Sequence, residues 1–225
     1  PYPKRIAIGQ TGIARFFLAF ESVPYRWIWG NSIFDSMSMN MRMLTQGWLV
    51  LTLTDSPFWV GLVAGLQGLG LVGFGTLGGV LVDRVERRKI LMFAQMVSGT
   101  LALIVGLLVV MDLIAMWHMF VVAIFQGVLQ GIQLPAGHAL IYQAVGPNRL
   151  LNAMATRMLA FNVMRIVGSL IAGALISSIG TGSAYIVAAG SMYLAAMLLL
   201  FMGGAYHAPT EREPFWLVVS GGIRY

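Results

Sequence analysis

Residues 78–90 read GGVLVDRVERRKI, and every position from Asp83 to Lys89 except Val85 is charged, in a chain that is only 10% charged overall. On either side the sequence is strongly apolar: 58% of the 225 residues are hydrophobic and the mean hydropathy is +0.81. Soluble domains hold roughly 45–50% apolar residues. This composition excludes an ordinary water-soluble core and predicts an all-α integral membrane protein, because uninterrupted apolar runs of about 20 residues cross the hydrocarbon layer as helices. The charged run then marks a loop at the cytoplasmic surface, where Lys and Arg accumulate. The net charge of +6 is read as that edge and not as a nucleic-acid surface. The chain has no cysteine, which removes disulfides, thiolate metal sites and cysteine nucleophiles.

Working outward from the run, apolar stretches bounded by charge or turn residues predict six spans, at 27–52, 57–82, 90–111, 116–142, 153–178 and 183–204. The connectors between them are short, so neighbouring spans run antiparallel. Lys4, Arg5, Arg15, Arg26, Arg149, Arg157, Arg212, Arg224 and the basic run all fall on one side or at its edge. The opposite connectors, TDSP, MDLIA and SSIGTG, contain no Lys or Arg, which puts both termini in the cytoplasm. Residues 1–26 read as a cytoplasmic segment whose stretch TGIARFFLAFESVPYRW suits a helix lying in the interface. Residues 27–204 form the bundle, and 205–225 a cytoplasmic segment leading toward a second half outside this sequence. Trp27, Trp29 and Tyr206 on one side, and Trp59 and Trp117 on the other, occupy positions expected of interfacial aromatics.

Polar residues inside the spans recur at helical spacing. Asn31, Asp35, Ser38, Arg42 and Thr45 share one face of the first span. An ionised side chain at membrane depth costs at least a few kcal/mol without water or a partner, so Asp35 and Arg42 must point into a cavity or the protein interior. The fourth span carries Gln126, Gln130 and Gln133 on one face, positioned either to bind a solute or to bridge helices. The fifth carries Asn162, Arg165 and Ser169, with Arg165 near mid-span and unable to snorkel out easily. The third and sixth spans are nearly free of strong polar groups and are expected to face lipid. This order, polar then Gly-containing then apolar and repeated once, is the pattern of two inverted three-helix repeats.

Other signals carry less. Gly68, Gly70 and Gly73, and again Gly73, Gly75 and Gly78, spell a dinucleotide fingerprint, but inside a span; small residues there, with Gly61 and Gly65, read as close helix packing. Met37, Met39, Met41 and Met43 read as adaptable packing. His118 and His138 lie near opposite ends of the fourth span, too far apart to share a metal. No paired catalytic constellation occurs, so neither enzymatic activity nor a cofactor is expected.

Gly79, Asp83, Arg84, Arg87, Arg88 and Lys89 follow the pattern GxxxDRxxRRK, which resembles the loop between the second and third helices of the major facilitator superfamily. GWLVLTLTDSPFWVGLV at 47–63, LPAGHAL at 134–140 and PNRLLNAMATRMLAFNVMRIVGSLIAGAL at 147–175 are similar to that family too. Glu86 stands where a second glycine is usual, a departure that resembles the bacterial drug and siderophore exporter branch. The resemblance covers residues 16–225 and implies the amino-terminal six helices of a twelve-helix fold. It implies that Gly79 permits close approach of the other half, that Asp83 meets a helix end across the interface, and that the basic residues lock the outward-facing state. RIVGSLIAG resembles a degenerate antiporter motif, with Ser169 where proline is typical.

The expected function is a secondary transporter of the bacterial inner membrane, an exporter of a small amphipathic or anionic solute, working by alternating access. Asn31, Asp35, Arg42, Gln126, Gln130 and Arg165 are the candidate solute and coupling residues, with Asp35 carrying a proton beside Arg42 or Arg165. Gly79, Asp83, Arg84, Arg87 and Arg88 are the candidate gate. The partners expected are the lipid bilayer, the solute, and a second six-helix half or another membrane subunit. The alternative is a non-transporting six-helix subunit of a larger membrane complex.

Overall fold

Four left-handed residues punctuate the chain among the described residues: Asp55 (φ 49°), Asp112 (φ 55°), Gly146 (φ 70°) and Gly180 (φ 110°). Each follows the end of a helix, and Asp and Gly enter this backbone region at the least steric cost. The computed structural model describes residues 18–82 and 86–202, with side chains at all of these positions except 74–82. Six long helices lie within them: α1 (Val23–Thr54), α2 (Pro57–Val82), α3 (Arg87–Val110), α4 (Met116–Val145), α5 (Leu150–Ser178) and α6 (Thr181–Leu200). Short 3-10 turns, Leu18–Glu21 and Pro147–Arg149, precede α1 and α5. No strand occurs among the described residues.

The helix ends have local causes. α1 starts at Val23, ahead of the expected Trp27, with Pro24 in its first turn where a missing N–H costs nothing. Its other end closes when the Asp55 N–H bonds the Leu51 carbonyl at 2.8 Å. At the end of α5 the Ile179 and Gly180 N–H groups both bond the Leu175 carbonyl at 2.9 Å, and Gly180 turns the chain straight into α6. His118 caps α4: its Nδ1 accepts the Ala115 N–H at 3.0 Å.

The basic run differs from its expected placement. Arg87, Arg88 and Lys89 form the first turn of α3 and not a loop. Cations at a helix start meet the positive end of the dipole. Arg88 instead reaches across to the end of α6, donating Nη1 to the Met202 carbonyl at 2.6 Å and Nη2 to the Leu200 carbonyl at 2.9 Å. Lys89 pairs with Glu86 at 2.8 Å. Asp83 and Arg84 lie outside the described residues, and so do the surroundings of Gly79.

By length and composition α3, α4, α5 and α6 are long and apolar enough to cross a membrane. α1 is longer, but its polar face lowers its hydropathy, and α2 is apolar over Pro57–Gly73, the part described with side chains. α2 packs chiefly on α4, α1 on α5 and α6, and α3 on α6 and α4. Glycines set the closest crossings. A Cβ on Gly127 would collide with the Gln67 carbonyl, and one on Gly70 would stand 2.6 Å from the Ile124 carbonyl, so α2 and α4 touch backbone to backbone. Gly168 brings α5 against Met37 of α1 in the same way, and Gly106 faces Gly182 between α3 and α6. Gly61, Gly65, Gly68 and Gly73 have open space around them, so of the glycine series in α2 with described surroundings it is Gly70 that makes the crossing.

Two apolar clusters fill the ends of the bundle. At the basic end Tyr25, Ile28, Leu91, Leu140, Ile141 and Leu199 are buried together, and Ala19 of the preceding turn is fully enclosed with them. At the opposite end Val50, Val63, Val105, Met119 and Tyr185 do the same. Trp29 is partly buried: its ring packs edge-on to Phe20 and its Nε1 donates to the Thr156 carbonyl at 3.3 Å. Outward-facing apolar side chains such as Val72, Phe93 and Leu170 cover the exterior. This is the surface of helices immersed in hydrocarbon.

Replacing Gly127 with Val is expected to separate α2 from α4 and to destabilise the fold by about 1–3 kcal/mol, the usual cost of overpacking. The thermal unfolding midpoint in detergent checks this, with Gly65→Ala expected to leave it unchanged.

Candidate functional site

The two clusters leave between them a cavity of about 430 Å³, lined by α1, α2, α3, α4, α5 and Tyr185 of α6. Its volume falls in the range of small-molecule sites, about 300–1,000 Å³. Most of the wall is apolar, from Ile28, Val50, Val63, Leu91, Val122 and Ile141 among others. Three charged side chains line it: Asp35 and Arg42 from α1, and Arg157 from α5.

Asp35 is held through α3. Gln95 Nε2 donates to Asp35 Oδ1 at 3.4 Å. The Gln95 amide is in turn fixed by Asn31, whose Nδ2 donates to Gln95 Oε1 at 2.9 Å and to the Ala195 carbonyl of α6 at 2.7 Å. A chain of amides therefore ties α6, α1 and α3 together and ends on the carboxylate. The guanidiniums of Arg157 and Arg42 act on that carboxylate through space. Among the described residues neither comes within ion-pairing distance, 4.0 Å, of it. The charges surround an open volume and do not close on one another.

The structure brings Asn31, Asp35, Arg42, Gln126 and Gln130 to this one cavity. It does not bring Arg165 there. That residue is exposed and lines a more open groove with Asn40, Trp48 and Ser169, which adjoins the cavity at Met43, Gly47 and Val60. The expected polar face of α1 also divides: Ser38 is buried against α6, donating to the Ala188 carbonyl at 2.7 Å, and Thr45 bonds back to the Met41 carbonyl. Arg157, read from the sequence as an edge cation, takes the place beside Asp35. Gln95, in the nominally apolar third span, and Tyr185, in the sixth, also belong to the wall. The sequence signal for Gln95 was its isolation: one amide in an otherwise apolar run needs a partner.

The glutamines of α4 serve different ends. Gln126 is consumed by α3, accepting from Ser98 Oγ at 2.6 Å and donating Nε2 to the Ser98 carbonyl at 3.1 Å. Gln130 makes only a long contact of 3.7 Å to Met39 Sδ, and its amide stays available to the cavity. Among the described residues no group of three or more His, Cys, Asp or Glu side chains is placed to hold a metal ion.

A family model described as transmembrane secretion effector, of the major facilitator type, matches residues 16–225. The chain belongs to this family. Relatives in it include the enterobactin exporter EntS of Salmonella paratyphi A, 27% identical over 177 residues, which are 77% of this chain and 42% of that protein. EntS of Escherichia coli O1:K1 is 24% identical over 212 residues, 94% of this chain and 48% of that protein. An uncharacterized MFS-type transporter of Bacillus subtilis, YfiS, is 23% identical over 147 residues, 65% of this chain and 34% of that protein. The chain spans less than half the length of each of these relatives. Membership of this family accounts for the apolar exterior and the long apolar helices.

Gln126→Ala is expected to lower stability by about 1–2 kcal/mol, since it removes two bonds between α3 and α4, each worth about 0.6–1 kcal/mol in a membrane protein. Gln130→Ala is expected to leave stability unchanged, and unfolding of the two variants in detergent separates the roles.

Proposed function

We propose that the chain is the solute-binding half of a secondary exporter that moves a small amphipathic or anionic solute across a bacterial inner membrane by alternating access. The observation that carries this reading is the cavity itself: polar and charged groups at the centre of an apolar bundle, with Asp35 held by Gln95 and two guanidiniums nearby. Export is the direction that the printed names of the enterobactin exporters carry. In this reading all six helices of 27–204 cross the membrane, residues 1–26 and 205–225 lie on the cytoplasmic side, and a second six-helix half supplies the other wall of the pathway.

The helix contacts support two inverted three-helix repeats. Exchanging α1 with α4, α2 with α5 and α3 with α6 turns the α2–α4 contact into α5–α1 and the α1–α6 contact into α4–α3, and all four are present. It leaves α3–α6 as the pairing on the axis. Gly70 of α2 against α4 and Gly168 of α5 against α1 fit the same exchange. Rocking of such a unit against a second half around a mid-membrane site is how repeat-built transporters alternate.

Asp35 carries the coupling proton in this scheme, since among the described residues it is the one carboxylate on the cavity wall and its Gln95 partner sits on a different helix. Gly79, Asp83, Arg84 and Arg87 form the gate at the basic end, and Arg88 joins α3 to the end of α6 there. The transporter does no covalent chemistry on its solute.

In proteoliposomes containing the native polypeptide, Asp35→Asn is expected to abolish accumulation of a fluorescent amphipathic anion driven by an imposed pH gradient, while facilitated equilibration persists. Undiminished accumulation in a correctly folded variant would sink the coupling role. No gradient-dependent movement of any amphipathic probe by the unmodified protein would sink the transporter reading.

A further inference from the structure

The cavity charges do not balance. Among the described residues Asp35 is the acidic one on the wall, and it shares the cavity with two guanidiniums, Arg42 and Arg157. One positive charge is left unmatched at a site walled mainly by apolar side chains, where charge is costly unless paired. Polar atoms are unmatched as well. Arg42 Nε and Arg157 Nη1 are buried and have no hydrogen-bond partner. Buried donors of this kind are rare enough to require a reason.

Arg157 owes its position to a bare stretch of α4. A Cβ placed on Gly137 would stand 3.3 Å from Arg157 Nη2 and 3.5 Å from Nη1, so the guanidinium lies directly over the glycine. Any side chain at 137 pushes the fork away. Arg42 reaches the cavity from α1, two helical turns beyond Asp35, so the two guanidiniums approach from different helices.

We infer that Arg157, seated on Gly137, is a specificity-determining residue of this cavity and acts with Arg42 to select solutes that carry one negative charge on an apolar body. The inference rests on the reading of the cavity as a solute site and adds the solute's charge class and the residue that sets it. A single carboxylate or sulfonate brings the site to neutrality and offers acceptors to the guanidiniums that line the wall, in the planar, bidentate geometry that Arg favours. The apolar walls take the rest of the molecule. A cation adds to the positive excess, and a neutral analogue leaves the charge unmatched. Arg165, in the adjoining groove, is not on the cavity wall and has no part in the selection.

The test is equilibrium binding to the native polypeptide in nanodiscs, using naphthalene-1-carboxylate and its uncharged isostere naphthalene-1-carboxamide. The unmodified protein is expected to bind the carboxylate about tenfold or more tightly than the amide, the scale of a hydrogen bond to a charged group. Arg157→Ala is expected to remove that preference by lowering carboxylate affinity far more than amide affinity. Gly137→Ala, which only displaces the flexible end of the guanidinium, is expected to reduce it by roughly two- to fivefold while keeping the fold. Arg165→Ala is expected to leave it intact. Equal binding of the two probes by the unmodified protein overturns the inference, as does a preference that survives Arg157→Ala undiminished. Retained charge selectivity in a protein that moves nothing in proteoliposomes supports this assignment and refutes the transporter reading, so the two fail separately.

Discussion

A carboxylate among apolar helices has to be held by protein groups, and the way Asp35 is held organises the bundle around it. Its partner Gln95 is oriented by Asn31, and Asn31 is anchored on the carbonyl of Ala195. That last bond requires α1 and α6 to approach closely, and the small residues of α6 permit it: Ala184, Ala188, Ala189, Ala195 and Ala196 are all buried. Ser38 uses the same proximity to reach the Ala188 carbonyl. The small-residue face of α6 is thus a condition for placing a charge near the middle of the fold, since backbone carbonyls become available across an interface only when no large side chain intervenes.

The second condition is that the polar groups be only partly satisfied. A fully closed network would make a rigid pillar. Here Gln126 is tied to α3 on both of its amide atoms, whereas Gln130 has only a weak contact with a methionine sulfur. Asp35 is oriented through Gln95 while both guanidiniums stand off from it. Such an arrangement keeps the bundle together through its spent groups and leaves its unspent ones facing the cavity. The charged residues at the basic end follow the same division: Arg88 spends its donors on the end of α6, and Arg149 pairs with Glu21 at 2.6 Å.

Much of this was legible from the chain. The helices lie within a few residues of the apolar stretches, because hydrophobic length and turn-forming residues such as Asp55 and Gly180 act locally. The charged pair in α1 had to face inward on solvation grounds alone. Less legible was the division among residues of similar type. Nothing in the spacing of Gln126 and Gln130, one turn apart on one helix, says that Ser98 will consume the first. Nothing in the glycine series of α2 says that Gly70 meets α4 while Gly61 and Gly65 meet nothing.

The arginines of α5 show the boundary between the two kinds of information. Hydropathy, charge and motif are properties of neighbouring residues, so the chain alone carries a helical membrane protein of the major facilitator type with a charged pair on its first helix. It also shows two arginines on the fifth helix. Only the tertiary structure decided that Arg157 joins Asp35 and Arg42 while Arg165 turns to another groove. Eight residues rotate the chain by about 80° around the helix axis beyond two full turns. Which of the two then faces the cavity depends on how α5 is rolled against α1, and the contact of Gly168 with Met37 sets that roll.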